Sequence, residues 1–363
     1  MTTAPEGTAT MRAAVLTGRR ILEYRETPAP EPGPGELLVR VSATGICGSD
    51  LAAYRGTHPY KKAPAVLGHE FSGTVVRVGG EVTGFAPGDR VCSAAFSHCG
   101  SCAECEGDAP HLCTRKRNLS HLDWTGSFAD LVVLHPNMAH RLPPGMHPLA
   151  GALVEPLSIG RHAMRLADVA GADRRVAVLG SGTIGLSCLV ATRALGRATV
   201  ACVDIGAAKG VTARGLGADA YVDAREGDPV AGVRDALGGP ADVVVIASGY
   251  PGVTDQALRT VRPGGVVVIV SYFDGPHPVD LNSLVGREVT VRGSALSTPR
   301  DFDEVIEHLA TGSVDVLPMI THHFGLDDAA SALRLMDRAD VPTGKIMIHV
   351  STDPDEFTNG WNA

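Results

Sequence analysis

The chain has 363 residues, 44% of them hydrophobic, a length that favours two domains with one core each. Its formal net charge of −8 and its lack of a basic run argue against nucleic acid as a partner. No apolar stretch is long enough to span a bilayer and no secretion leader is recognisable, so the cytoplasm is the expected location.

The first part of the chain is predicted to be rich in short β-strands. A small, polar extension from Met1 to Thr10 precedes a first strand at Met11 to Thr17. Further β-rich runs, bounded by glycine, proline and aspartate, lie at Gly35 to Val41, Phe71 to Val78 and Phe128 to Leu134. This pattern indicates a compact, mostly β barrel or sandwich.

Metal-ligating side chains lie within this β-rich region, in the segments Cys47-Gly48-Ser49-Asp50 and Gly68-His69-Glu70. Glu155, far downstream, supplies a further carboxylate. One thiolate, one imidazole and one carboxylate leave a position of a tetrahedral metal ion open, whereas four protein atoms close a structural site. Cys47, His69, Glu70 and Glu155 therefore predict a catalytic zinc ion, which acts as a Lewis acid.

A second group of cysteines lies in a lobe between residues 92 and 115. Cys99, Cys102, Cys105 and Cys113 predict a closed structural zinc site, because four thiolates at this spacing suit a tetrahedral loop site. Two disulfides are the alternative, but the sequence gives no sign of an oxidising compartment.

The pattern changes after Glu155, where apolar strands alternate with helical stretches. Six strands are predicted, at Val176 to Leu179, Thr199 to Val203, Ala220 to Val222, Val243 to Ile246, Val266 to Val270 and Val289 to Val291. This alternation predicts a doubly wound, parallel six-stranded sheet.

The first of these strands runs into Gly180-Ser181-Gly182-Thr183-Ile184-Gly185, which precedes a predicted helix from Leu186 to Leu195. Glycines in this context are typical of dinucleotide binding, because they let a pyrophosphate approach the start of the helix. Asp204 ends the second strand about 20 residues later, where a carboxylate accepts hydrogen bonds from an adenosine ribose. These residues favour NAD over NADP. Lys209 either reaches the ribose or is a solvated lysine at a helix start.

Together these motifs resemble the zinc-containing medium-chain dehydrogenase/reductase superfamily over nearly the whole chain. Gly88-Asp89-Arg90-Val91 and Arg262-Pro263-Gly264-Gly265 add to the resemblance. It implies an α/β protein with a β-rich, GroES-like catalytic domain, formed by residues 1–157 and 295–363, and a Rossmann NAD-binding domain formed by residues 158–294. The C-terminal portion fits, with predicted helices and a returning strand at Asp301 to Leu309, Asp327 to Asp337 and Lys345 to Val350.

Within the superfamily, the segment from Val154 to Gly160 resembles the sorbitol, threonine and butanediol dehydrogenase branch. Ordinary alcohol dehydrogenases have a cysteine where this chain has Glu155. The resemblance implies two zinc ions and NAD, with Cys47 and His69 as ligands of the catalytic zinc. Glu70 and Glu155 either ligate that zinc or hold a water molecule beside it; an ordinary buried acid at Glu70 and a helix-start charge at Glu155 are the alternatives.

The resemblance also implies that Ser49 starts a proton relay. In relatives the relay often continues to a histidine five positions after the first zinc cysteine, but Ala52 occupies that position here. His58 or bulk water could replace it, although a turn histidine before Pro59 is the simpler interpretation of His58.

The implied reaction is oxidation of a secondary alcohol, or reduction of the corresponding ketone. Polyol dehydrogenases commonly carry a Phe-Arg-Tyr stretch where this chain reads Ala295-Leu296-Ser297-Thr298-Pro299-Arg300, which makes an acyclic polyol less certain. The loop from Asn118 to Trp124 mixes aromatic and hydrogen-bonding groups and suits a bulky polar ring. We therefore expect a polyol, cyclitol or aminocyclitol as the substrate.

A threonine- or butanediol-type dehydrogenase is the alternative activity. A non-catalytic zinc- or dinucleotide-binding protein is the remote alternative, because it would gain nothing from an open metal position. The resemblance further implies a homodimer or homotetramer, formed through edge strands near Val289 to Val291.

Overall fold

The computed structural model describes residues 9–122, 124–170, 173–338, 340–353 and 355–358, so most of the predicted N-terminal extension lies outside the described residues. The chain divides into two compact units. The first comprises Met1–Glu155 and Ile320–Ala363, and the second comprises Pro156–Met319. Residues 295–319 thus fall in the second unit, whereas the resemblance implied that they belong to the first.

The strands, in chain order, are β1 (Thr10–Gly18), β2 (Ile21–Pro28), β3 (Leu37–Gly45), β4 (Ala65–Val66), β5 (Glu70–Val78), β6 (Arg90–Ser93), β7 (Phe96–Ser97), β8 (Arg117–Asn118), β9 (Leu131–Leu134), β10 (Ala139–Arg141), β11 (Arg174–Leu179), β12 (Ala198–Asp204), β13 (Ala220–Asp223), β14 (Ala241–Ile246), β15 (Val261–Ile269), β16 (Thr290–Gly293), β17 (Ile320–Gly325) and β18 (Lys345–His349). The α-helices are α1 (Gly48–Tyr54), α2 (Ala103–Glu106), α3 (Pro148–Leu166), α4 (Thr183–Leu195), α5 (Ala207–Gly215), α6 (Pro229–Leu237), α7 (Val253–Thr260), α8 (Leu281–Arg287), α9 (Pro299–Ala310), α10 (Ala329–Met336) and α11 (Asp355–Thr358).

The first unit is mostly β, as predicted. Its main sheet has the strand order β10-β6-β5-β3-β18-β17, and β9 also pairs with β3. A smaller sheet has the order β2-β1-β4. Strand β18, from the far end of the chain, pairs antiparallel with β3, with Met347 opposite Gly45. Both ends of the chain therefore build this unit.

The second unit contains the predicted parallel six-stranded sheet, in the order β13-β12-β11-β14-β15-β16. The strand order reverses between β11 and β14, which is where ligands bind in sheets of this type. The interior strands are apolar and buried on both faces, as the continuous run Val176 to Leu179 shows. All six predicted strands are present, so the α/β fold class is confirmed.

Close packing of two helices in the second unit depends on a glycine. A Cβ atom at Gly160 of α3 would lie 2.3 Å from the carbonyl carbon of Ser187 in α4, far inside van der Waals contact. Among the described residues, no helix combines the length and the apolar character needed to cross a membrane.

Candidate active site

Three predicted zinc ligands meet where β3 ends and β5 begins, in the first unit. Cys47 follows β3, His69 precedes β5 and Glu70 begins β5, and the antiparallel register places Gly45 opposite Glu70. The ligand atoms of Cys47, His69 and Glu70 all lie within 4.8 Å of one another. Gly68 makes the turn possible, because its φ is +95° and a Cβ atom there would lie 2.4 Å from Phe128.

A buried lysine from the C-terminal strand holds Glu70 in place. Lys345 Nζ pairs with Glu70 Oε2 and donates to the Ile46 carbonyl at 3.0 Å, and both charged side chains are at most 3% exposed. Burial lowers the pKa of Lys345, but the charges of Glu70 and Cys47 outweigh burial and raise it. Sequence reasoning missed Lys345, because nothing near it in the sequence relates it to Glu70.

Glu155 lies in α3 and is 6% exposed. The metal-ligating group found within 4.8 Å among the described residues does not include it. Its charge nevertheless interacts with His69 and Glu70. Burial raises the pKa of Glu155, the positive charge of His69 opposes that rise and the negative charge of Glu70 adds to it, so that the pKa is about 7.

A second buried ion pair lies beside Cys47 and His69. Asp50, fully buried in α1, accepts a hydrogen bond from the Cys47 backbone N–H at 3.1 Å and pairs with Lys61 Nζ at 3.1 Å. Its Oδ1 lies 3.7 Å from His69 Nδ1. Burial raises the pKa of Asp50, but the charges of Lys61 and His69 outweigh burial and hold it well below its ordinary value. Sequence reasoning did not single out Lys61, since neighbouring Lys61 and Lys62 resemble a solvated pair.

His58, one of the alternatives for the proton relay, belongs to the loop that carries Lys61. Its Nδ1 accepts backbone N–H groups of Lys61 at 3.1 Å and Tyr60 at 3.4 Å. Burial and the charge of Lys61 lower the pKa of His58 to about 4. The ring is therefore neutral at neutral pH and shapes the loop.

The loop from Asn118 to Trp124, of which Asp123 lies outside the described residues, packs against the turn that carries His69. Ser120 Oγ donates to the Gly68 carbonyl at 3.3 Å. The His121 ring lies 5.1 Å from the Tyr60 ring, in an edge arrangement. The loop thus contacts both the turn before His69 and the loop that carries Tyr60.

Four cysteines form the second candidate metal site, in the loop around α2. Their sulfur atoms all lie within 4.8 Å of one another, with Sγ–Sγ distances of 3.4 Å (Cys102 to Cys105), 3.5 Å (Cys99 to Cys113) and 3.9 Å (Cys99 to Cys105). A tetrahedral zinc ion with Zn–S bonds of about 2.3 Å requires a sulfur separation of about 3.8 Å. Backbone N–H groups of Cys99 and Arg115 each lie 3.4 Å from Cys113 Sγ, as donors to a thiolate do. The geometry therefore fits zinc.

The glycine-rich loop of the second unit lies between β11 and α4. Gly180 has a φ of +106°, and a Cβ atom at Gly185 would lie 1.8 Å from the Gly180 carbonyl oxygen. A Cβ atom at Gly182 would instead enter open space, which a bound group can use. Gly182 caps α4, and Thr183 and Ile184 form its first turn. The loop therefore fits a pyrophosphate at the start of this helix.

Asp204 lies at the end of β12, at the same edge of the sheet as the glycine-rich loop. Its carboxylate accepts the backbone N–H groups of Ser181 at 2.6 Å and Ile205 at 2.7 Å. Lys209 Nζ pairs with Asp204 Oδ1 at 2.8 Å. Lys209 therefore contacts the carboxylate that is expected to bind the ribose, rather than standing in solvent alone.

Known proteins match both halves of this arrangement. Residues 33–144 match the alcohol dehydrogenase GroES-like domain, and residues 183–311 match the zinc-binding dehydrogenase domain. A sorbitol dehydrogenase from Arabidopsis thaliana is 34% identical over 86% of this chain and 88% of its own length. An L-idonate 5-dehydrogenase from Vitis vinifera is 33% identical over 86% of this chain and 87% of its own length. The crystal structure of a zinc-binding dehydrogenase from Sinorhizobium meliloti 1021, bound to NADP, has a TM-score of 0.87 and 31% identity, and covers 94% of this chain and 100% of its own.

Proposed function

The chain belongs to the zinc-binding dehydrogenases of the medium-chain superfamily, and we propose that it oxidises a secondary hydroxyl group of a polyol, cyclitol or aminocyclitol with NAD. In the opposite direction it reduces the corresponding ketone. The observation that carries this proposal is the incomplete donor set, in which Cys47, His69 and Glu70 meet within 4.8 Å. Three protein ligands leave the fourth position of a tetrahedral ion for a substrate.

In this proposal Cys47 and His69 bind the catalytic zinc, and either Glu70 or Glu155 is the third ligand while the other carboxylate stands beside it. Zinc in such a site polarises a hydroxyl oxygen and lowers its pKa, and NAD accepts a hydride. Lys345 offsets the charge of Glu70 inside the protein, which keeps that carboxylate next to the thiolate of Cys47. Glu155 is a second buried carboxylate, and its charge interacts with that of Glu70. Cys99, Cys102, Cys105 and Cys113 bind the second, structural zinc.

The cofactor residues of the second unit support NAD. Gly180, Gly182 and Gly185 leave room for the pyrophosphate, with Thr183 and Ile184 at the start of α4. Asp204 accepts hydrogen bonds from the adenosine ribose, and Lys209 stands beside it. A 2′-phosphate would meet the carboxylate of Asp204, so NADP is the poorer cofactor.

The substrate class is supported by the relatives and by the loops near the candidate site. Sorbitol and L-idonate dehydrogenases act on polyhydroxylated compounds, as their names state. Tyr60 and His121, whose rings contact each other, lie on the two loops that contact Gly68 and His69, and their ring faces and polar edges suit a hydroxylated ring. A threonine- or butanediol-type activity is the second candidate.

The test is NADH formation by the zinc-loaded protein with polyols, cyclitols, aminocyclitols, threonine, 2,3-butanediol and simple alcohols, each with NAD and with NADP. We expect turnover of a hydroxylated ring or chain with NAD. Cys47→Ser should abolish this turnover and should lower the zinc content from two ions per chain to one. Cys188→Ser, which alters a buried cysteine of the second unit, is the matched control and should retain both the turnover and the two zinc ions. A clear preference for simple aliphatic alcohols would contradict the substrate class.

We further propose that the protein is a homodimer, or a homotetramer built from such dimers, joined through β16. This strand ends the parallel sheet, and all four of its residues are exposed. Helix α8, which precedes β16 in the chain, has no buried residue, and Leu281 and Val285 are 67% and 79% exposed. Pairing of two copies would cover both the open strand edge and these apolar side chains. Sedimentation should give an oligomer that Val285→Asp dissociates, and a wild-type monomer would refute the proposal.

A further inference from the structure

Lys61 is a buried cation at the candidate active site that the proposed function leaves without a role. Its side chain is 5% exposed. Its Nζ lies 3.0 Å from Ser49 Oγ, 3.1 Å from Asp50 Oδ1 and 3.3 Å from His69 Nδ1. Lysine is almost never buried without a partner, and Asp50 supplies the balancing charge here.

The chemistry of an ammonium group decides the direction of these contacts. It has three N–H donors and no acceptor. Ser49 Oγ therefore accepts a hydrogen bond from Lys61, and its own O–H must point towards another partner. Asp50 Oδ1 also accepts from Lys61, which holds this carboxylate next to His69.

We propose that Lys61 is a positioning residue that fixes the direction of the Ser49 hydroxyl and the place of the Asp50 carboxylate beside His69. The inference rests on the proposed function, in which Ser49 receives the proton of the substrate hydroxyl. Ala52 offers no side-chain hydrogen bond, and the Nδ1 atom of His58 is occupied by the backbone of its own loop. Lys61 is the charged donor that contacts Ser49.

The proposed role acts during proton transfer. Ser49 Oγ passes its own proton to water slightly ahead of taking the proton of the substrate hydroxyl in its place, so that Oγ carries partial negative charge in the transition state, and NAD would accept the hydride. The Lys61 N–H group contacts Oγ throughout and offsets negative charge that develops on it. Such a contact is stronger in the transition state than in the ground state, so its loss lowers kcat more than it raises KM.

The first test compares Lys61→Met with Lys62→Met. The control variant also removes one lysine charge, but the ammonium group of Lys62 donates to the His58 carbonyl. Lys61→Met should lower kcat at least tenfold and change KM less than about twofold, and Lys61→Arg should recover part of kcat. Lys62→Met should leave both constants unchanged. In a double-mutant cycle, Lys61→Met should cost little once Ser49→Ala is present. Independent, multiplying effects of Lys61→Met and Ser49→Ala would overturn the proposal.

The second test needs no substrate, so it distinguishes failure of this inference from failure of the proposed function. Cobalt(II) replaces zinc at the catalytic site, and its visible absorption reports the arrangement of the ligands. Lys61→Met should shift this absorption, because Nζ contacts Asp50 and His69, whereas Lys62→Met should not. An unshifted spectrum would overturn the role of Lys61. If Lys61→Met does not fold, because Asp50 loses its partner, Lys61→Gln keeps an N–H donor and is subjected to the same measurements.

Discussion

Lys345 forms an ion pair with Glu70 across 275 positions of the sequence, and both side chains are buried. The pair joins β18 to β5 at the end of the main sheet of the first unit. A carboxylate that is expected near zinc is thus held by a cation from the last strand of that sheet. The stability of the unit and the geometry of the candidate site are therefore linked.

Breaking this pair should be costly. Lys345→Met leaves the Glu70 carboxylate buried without its cation, and such a loss destabilises a protein by about 3 to 5 kcal/mol. We expect urea unfolding of the first unit to begin at a lower concentration in this variant. Lys345→Met combined with Glu70→Gln should recover part of the loss, since no charge is then left unpaired. Equal stability of Lys345→Met and Lys62→Met would contradict this account of the pair.

The four-cysteine site should bind one zinc ion independently of the catalytic site. Cys105→Ser removes one of four sulfur ligands, so we expect the zinc content to fall from two ions per chain to one. The remaining ion should still be lost on Cys47→Ser. Elemental analysis gives the counts, and the unfolding temperature of Cys105→Ser should fall because bound zinc stabilises the folded loop. Two zinc ions in Cys105→Ser would show that the cysteines do not form this site.

Asp204 should determine the choice between NAD and NADP. Asp204→Asn keeps the shape of the side chain but removes the negative charge that a 2′-phosphate would meet. We expect the ratio of kcat/KM for NAD to that for NADP to fall at least tenfold, which corresponds to about 1.4 kcal/mol. Asp219→Asn, at a carboxylate that accepts from Arg193 and the Val200 backbone, is the control and should keep the wild-type ratio.

A histidine pair near the C-terminus should make stability depend on pH. His323 Nδ1 lies 2.9 Å from His349 Nε2, and the His349 ring lies 4.7 Å from the Phe357 ring. Burial lowers the pKa of His349, and the charges of His323 and His147 lower it further. In the folded state the ring therefore binds protons less readily than in the unfolded state, whose pKa is about 6.5.

The contribution of His349 to the free energy of unfolding is fully present above a pH of about 6.5. It falls as the pH drops further, because the unfolded chain then binds a proton at this histidine more readily than the folded chain does. His349→Gln removes the imidazole group, and with it this loss of stability at low pH. We expect the free energy of unfolding of His349→Gln, relative to wild type, to rise when the pH is lowered from 7.5 to 5.5. Asn282→Gln, at an exposed residue of the second unit that has no ionisable side chain, should show no such trend. A constant difference between His349→Gln and wild type would refute the prediction.

The strands of the second unit could be predicted because their apolar runs and glycine boundaries are local features of the sequence. The ligand group of Cys47, His69 and Glu70 could be proposed for a similar reason, since each residue lies in a short recognisable segment. The residues that contact these segments from elsewhere in the chain could not be predicted. Lys61 is brought to the site by the path of its loop, and Lys345 is brought there by the pairing of β18 with β3. No local sequence pattern predicts either arrangement.

The division between the two units was harder to predict than either fold. Helix α9 was expected from its pattern, but the pattern of a helix does not tell which core it joins. In the structure Asp301 of α9 accepts from Arg165 at 2.8 Å and lies 3.0 Å from His162, both in α3. These buried polar contacts keep α9 within the second unit.

The position of β18 has a consequence for the order of synthesis. The residues of β18 that pair with the free side of β3 are synthesised about 300 positions after Cys47, and after His69 and Glu70. Until then β3 has an open edge on that side, and Glu70 lacks its cation. A nascent or truncated chain that stops before Lys345 therefore carries the proposed metal ligands without the strand that holds them, so the site is completed only after β18 has been synthesised.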